Sequence, residues 1–442
     1  MSSESEDQTP GQVPRTPFEP GSEAEAEGVE ASGRGPSSLP PAEALQPQLA
    51  LTEGPEPISV PESGNLAPVR GEVWIAVSLL LLFPVLGLVT AGELGAFLGA
   101  SIQALPFALL SVFAYLGVDR PWARLVARVW LVLVLMVAFG MVFTLSVQTQ
   151  LVDPDAEVSK WRIFPDAWTD LISLAVAGIC CVWAACAPLT RTGRRLLARF
   201  TGGEEWSEMR LIALSAVLGL AGLSLLPLCI LGDPPMLMFD DDGSGGNGGG
   251  DDGRGAGGML RDEVYGLCWV LVSAAFAVGY GICRNGREVL VRLGLVRPTA
   301  RSFVMAVGLT VMLLAVAWAV DWGLDWFWVN QGWATTSGED VDKLFDYAAT
   351  PLGAVVVGIV AGLGEEVAVR GILQPRLGLM VSSLFFAAIH GLQYQWDGLI
   401  SVLVVGIFLG LVRKRSNTTM SAMVHAMYDF VILLQQSMDS GN

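Results

Sequence analysis

Residues 352–374 read LGAVVVGIVAGLGEEVAVRGILQ. The segment is long enough to cross a bilayer, since about 20 helical residues at 1.5 Å each cover the roughly 30 Å hydrocarbon layer. Yet Glu365, Glu366 and Arg370 lie inside it. A charge at the centre of a span costs roughly 2.5–3.5 kcal/mol on insertion scales, so such residues turn toward protein or a cavity and are functional candidates by default. This one stretch predicts both a membrane helix bundle and a polar site within it.

The rest of the chain agrees. Of its 442 residues 52% are apolar and 16% charged, and mean hydropathy is +0.53. Soluble domains average about 25% charged residues. The same length ruler predicts spans near 73–91, 95–117, 126–147, 167–189, 211–231, 263–283, 303–322, 352–374, 378–392, 398–412 and 417–436. The expected fold class is all-α: a polytopic membrane helix bundle of about 11 transmembrane helices. The ninth and tenth segments are short, and loop residues such as Leu392 to Trp396 are expected to extend them.

Between the spans, composition marks the organisation. Residues 1–70 are rich in Pro, Glu, Ser and Gly with one aromatic, Phe18. Such a tail buries too little apolar surface to offset its ordering entropy and is expected to be disordered. Residues 240–260 (Asp240 to Gly258 read DDDGSGGNGGGDDGRGAGG) form an expected exterior linker that lacks the ligand spacing of a calcium loop. It divides an N-terminal bundle, 71–239, from a second bundle, 261–436.

The net charge of −17 follows from this layout. Its acids lie mostly in the tail and long loops, so it reports topology and gives no reason to expect a nucleic-acid partner. Arginines cluster after alternate spans: Arg120 and Arg124, then Arg191, Arg194, Arg195 and Arg199, then Arg284, Arg287, Arg292 and Arg297, then Arg376, then Arg413 and Arg415. By the positive-inside rule these loops and the tail are cytoplasmic, and the C-terminus is exterior. Arginine so outnumbers lysine, with Ala, Gly, Val and Leu abundant, that a bacterial cytoplasmic membrane is expected. The six cysteines all fall in apolar spans, which favours buried small hydrophobes, with a Cys229–Cys268 disulfide left open.

The late spans hold the chemistry. The only two histidines are His390, ending SSLFFAAIH, and His425, in SAMVHAMYDF beside Asp429. Glu366 and Arg370 are four apart, as are His425 and Asp429, so each pair shares a helix face. Glu365 is turned by about 100° from Glu366, so one carboxylate can face the bundle centre while the other braces the helix. Along their helices Glu365 and His425 sit roughly 13 and 12 Å from the cytoplasmic ends, with His390 a few Å deeper. HExxH and GxSxG arrangements are absent.

The motifs EExxxR (Glu365 to Arg370), FxxxH (Phe386 to His390) and HxxxD (His425 to Asp429) together resemble the CAAX protease and bacteriocin-processing enzyme family. Leu293 to Pro298 resembles the segment upstream of that family's core. The resemblance implies an intramembrane endopeptidase acting on membrane-associated peptides. In that pattern Glu365 and His390 activate water, Glu366 and Arg370 support them, and His425 and Asp429 lie opposite the reacting carbonyl. Glu365, His390 and His425 could instead hold zinc with one open position; a metal-free glutamate mechanism fits the same residues. Asp429 stands where several members have Asn. A non-catalytic binding, immunity or regulatory protein of the same fold is the alternative, and a Glu–His proton relay in a transporter is a third reading, disfavoured by the absence of an evident inverted repeat.

Overall fold

The computed structural model describes residues 71–152, 167–200, 206–237, 256–336 and 344–439. The expected disordered tail and most of the Gly/Asp linker lie outside these residues. The last part of that linker, from Ala256, is already helical. Among the described residues there is no β-strand.

The helices are α1 (Gly71–Val89), α2 (Gly92–Ala100), α3 (Leu105–Leu116), α4 (Pro121–Val152), α5 (Ala167–Ala185), α6 (Arg191–Phe200) and α7 (Glu208–Ile230). After the linker come α8 (Ala256–Ala277), α9 (Gly286–Leu293), α10 (Ala300–Gln331) and α11 (Pro351–Glu366). A π-helical turn, Val367–Leu373, leads into α12 (Gln374–Ile389), followed by α13 (Trp396–Arg415) and α14 (Thr418–Asp439). Local chemistry explains the boundaries near the site. Asn285 and Glu288 form a capping box on α9, which Gly294 ends at φ 73°. Thr350 caps α11 through the Gly353 N–H at 3.0 Å, with Pro351 next.

Among the described residues seven helical stretches are long and apolar enough to cross a membrane, or eight if the bent pair α2–α3 is one span. That is fewer than the eleven expected, although each expected segment is helical. Three differences account for it. The stretch Pro351–Leu392 passes as one run of 42 residues. A straight helix of that length would measure about 63 Å, twice the hydrocarbon layer. Gly378, at φ 83° and ψ 173°, breaks it between the expected eighth and ninth segments. The other two are α8, which carries Arg261, Asp262 and Glu263, and α14, which carries His425 and Asp429; their polar residues lower their hydropathy.

Side-chain contacts gather the basic loops at one end of the bundle. Arg128 of α4 and Arg194 of α6 both pair with Glu208 at the start of α7. Arg284 and Arg376 both reach the Tyr115 hydroxyl. Arg292 donates to Gly371 O at 3.2 Å, and Thr418 N to Gly294 O at 3.1 Å. The loops between these meet at the other end, where Met236 N bonds Leu392 O and Asp397 accepts from Thr336. The helices on either side of the linker share packing: Trp269 and Phe276 of α8 join Val73, Val77 and Ala108 in one core, and α7 packs on α12.

The cysteines differ from expectation. All six are free, and Cys180, Cys229, Cys268 and Cys283 are exposed while Cys181 and Cys186 are half-buried. Apolar residues of a membrane helix need not turn inward, because lipid is as apolar as the bundle core.

Candidate active site

The site is built where α11 meets α14. A Cβ on Gly362 would stand 2.5 Å from Ala426 N, and one on Gly358 would stand 2.7 Å from Ala426 O. Two glycines four residues apart thus let the helix backbones touch, as small residues do between membrane helices. The contact falls one residue beyond His425 and sets that ring beside Glu366.

Glu366 and Arg370 are both 0% exposed. As their i, i+4 spacing allows, Arg370 Nε lies 3.4 Å from Glu366 Oε2. The remaining guanidinium donors reach Gly406 O at 2.8 Å and Ser383 Oγ at 3.4 Å, and the group sits over the Phe386 ring at 5.2 Å. Two charges removed from water are tolerable only when their other donors and acceptors are occupied. Here Ser421 Oγ also bonds Glu366 Oε2.

The histidines differ in their surroundings. His425 is 5% exposed, with Nδ1 3.3 Å from Glu366 Oε1 and Nε2 3.5 Å from Asp429 Oδ2. His390 closes α12, and its Nδ1 is 2.7 Å from Phe386 O. A carbonyl only accepts, so Nδ1 carries the proton and Nε2 of the neutral ring presents a lone pair. The Phe386 ring separates the two imidazoles, with centroids 5.0 Å from His390 and 5.8 Å from His425. Glu365 is half-buried, and together with His390, His425 and Asp429 it lines a cavity of about 1290 Å³.

All six sequence-predicted residues therefore belong to one neighbourhood: four on the cavity, and Glu366 and Arg370 buried at its wall. Among the described residues no group of three or more His, Cys, Asp and Glu side chains is placed to hold a metal ion. Glu365, His390 and His425, the possible zinc ligands considered from sequence, are not gathered into such a group.

Several contributors escaped the sequence reading. Ser421 precedes His425 by one helical turn, and Gly358 with Gly362 forms a small-xxx-small pattern; both signals were present. Ser383 and Gly406 carried none, since their roles depend on how α12 and α13 meet.

Residues 347–431 match the family described as type II CAAX prenyl endopeptidase Rce1-like. No curated protein matches the chain, and no solved structure does. The matched segment contains all three motifs and every residue of the constellation above. Residues 347–431 are thus similar to that family, consistent with the CAAX protease resemblance carried by the motifs.

Proposed function

We propose that this multi-pass membrane protein is an intramembrane endopeptidase that hydrolyses a peptide bond of a membrane-associated substrate. The observation that carries the reading is the convergence of Glu365, His390, His425 and Asp429 on one large cavity, backed by the buried Glu366–Arg370 pair. Water lies between Glu365 and His390 Nε2 and gives its proton to Glu365 as its oxygen bonds the carbonyl carbon. The carbonyl oxygen becomes an oxyanion facing His425. On collapse the C–N bond breaks, the Glu365 proton passes to the leaving amine, and a carboxylic acid and an amine depart. No step is routed through a metal.

Residues 261–436 form the protease core in this reading. The chain crosses a bacterial cytoplasmic membrane eleven times, with residues 1–70 as a cytoplasmic tail and 240–260 as an exterior linker. The purified protein in liposomes should cleave a membrane-tethered peptide, and Glu365→Gln should lower the rate by at least the 10²–10⁴-fold typical of losing a general base. Near-wild-type cleavage by that variant removes Glu365 from the role. Binding without cleavage by the wild type favours the non-catalytic alternative.

A further inference from the structure

The histidine nitrogens of the site mostly face acceptors of the protein itself. His425 has a carboxylate near each ring nitrogen, and His390 donates through Nδ1 to Phe386 O. Ionised Glu365, Glu366 and Asp429 only accept. Peptide hydrolysis nevertheless creates an oxyanion, whose stabilisation by a positioned donor is usually a large part of catalysis.

Tyr394 has such a donor. Its ring stacks on His390, with centroids 6.0 Å apart and planes at 22°. Its backbone N–H bonds His390 O at 3.1 Å. On α13, a Cβ on Gly398 would come within 2.9 Å of the Tyr394 Cβ and 3.3 Å of its Cγ, so the absent side chain makes room for this ring. Tyr394 is therefore held between His390 and α13. It lines the same cavity as Glu365, His425 and Asp429. Tyr394 is half-buried, and among the described residues its hydroxyl has no protein hydrogen-bond partner, which leaves it available to the cavity.

We infer that Tyr394 is a further catalytic residue whose phenolic O–H donates a hydrogen bond to the oxyanion of the tetrahedral intermediate. The inference rests on the endopeptidase reading. The O–H bond stays intact throughout: the water proton still goes to Glu365 and then to the leaving amine. Tyr265 of α8 does not line the cavity, its hydroxyl bonding Glu93, and it serves as the control.

The test compares wild type, Tyr394→Phe, Tyr265→Phe and Glu365→Gln on one membrane-tethered peptide, together with inhibition by its peptide aldehyde, whose hydrate mimics the tetrahedral species. Tyr394→Phe keeps the stacked ring and should lower kcat by about 10²-fold or more with KM unchanged. It should weaken the aldehyde by a similar factor, which a merely structural change would not do selectively. Tyr265→Phe should be near wild type. Gly398→Ala, which retains the hydroxyl but crowds the ring, should also lower kcat. A Tyr394→Phe kcat within threefold of wild type, or a loss confined to KM, overturns the role while the endopeptidase reading stands. An inactive wild type removes both.

Discussion

His425 has Glu366 at one ring nitrogen and Asp429 at the other, 3.3 and 3.5 Å away. Carboxylates only accept, so two of them beside one imidazole favour a ring carrying both protons, whose positive charge would stabilise a nearby oxyanion. In the proposed mechanism Asp429 orients and charges His425 without itself touching the substrate. Asp429→Asn, which restores the residue type several family members carry, should lower kcat roughly tenfold or more, because a neutral amide supports the charged ring less well. Unimpaired turnover by that variant would sink the orienting role. This half of the arrangement was legible in the sequence, since four-residue spacing in one helix brings Asp429 to His425. The Glu366 half was not. It joins residues on separate helices, and nothing local fixes their register.

Between α11 and α14 that register is set by contact of backbones. Gly362 approaches Ala426 N so closely that a methyl group would sit 2.5 Å away, and the obstacle is backbone, which cannot rotate aside. Gly362→Ala should therefore push α14 outward and separate His425 from Glu366. Overpacking of this kind costs about 1–3 kcal/mol, and turnover should fall at least tenfold, read together with a lowered melting temperature in detergent. Gly364→Ala is the matched control: its new Cβ would meet only Leu267 Cδ1, at 3.4 Å, an ordinary contact. Equal loss in both variants would mean that the α11–α14 approach has no special role. The sequence located these helices by length and hydropathy. It passed over α6 and α9, which are too short to register as spans, and the π-helical turn after Glu366, because one turn of wider i→i+5 bonding leaves no mark on composition.

At the scale of the whole molecule, the helices that fail a hydropathy test for spanning are ones that line the cavity. Both α8 and α14 have 22 residues, about 33 Å of helix, enough for the hydrocarbon layer. Their polar residues include Glu263 on one and His425 and Asp429 on the other, all lining the cavity. Polar groups of this kind inside the bilayer explain why α8 and α14 fall below the hydropathy limit, whereas the stretch carrying Glu365 and His390 still passes it. Counting α8, α14, the α2–α3 pair and both sides of the Gly378 break gives eleven crossings, and the basic loops then share one face as their contacts do. Reporters separate this from the smaller counts. Tags at residues 250 and 442 should be exterior, and tags at 295 and 416 cytoplasmic. The pairs 250 with 295 and 416 with 442 are decisive, since each flanks one disputed helix. Finding 416 and 442 on the same face would mean that α14 does not cross, and His425 would then need another route to the depth of Glu366.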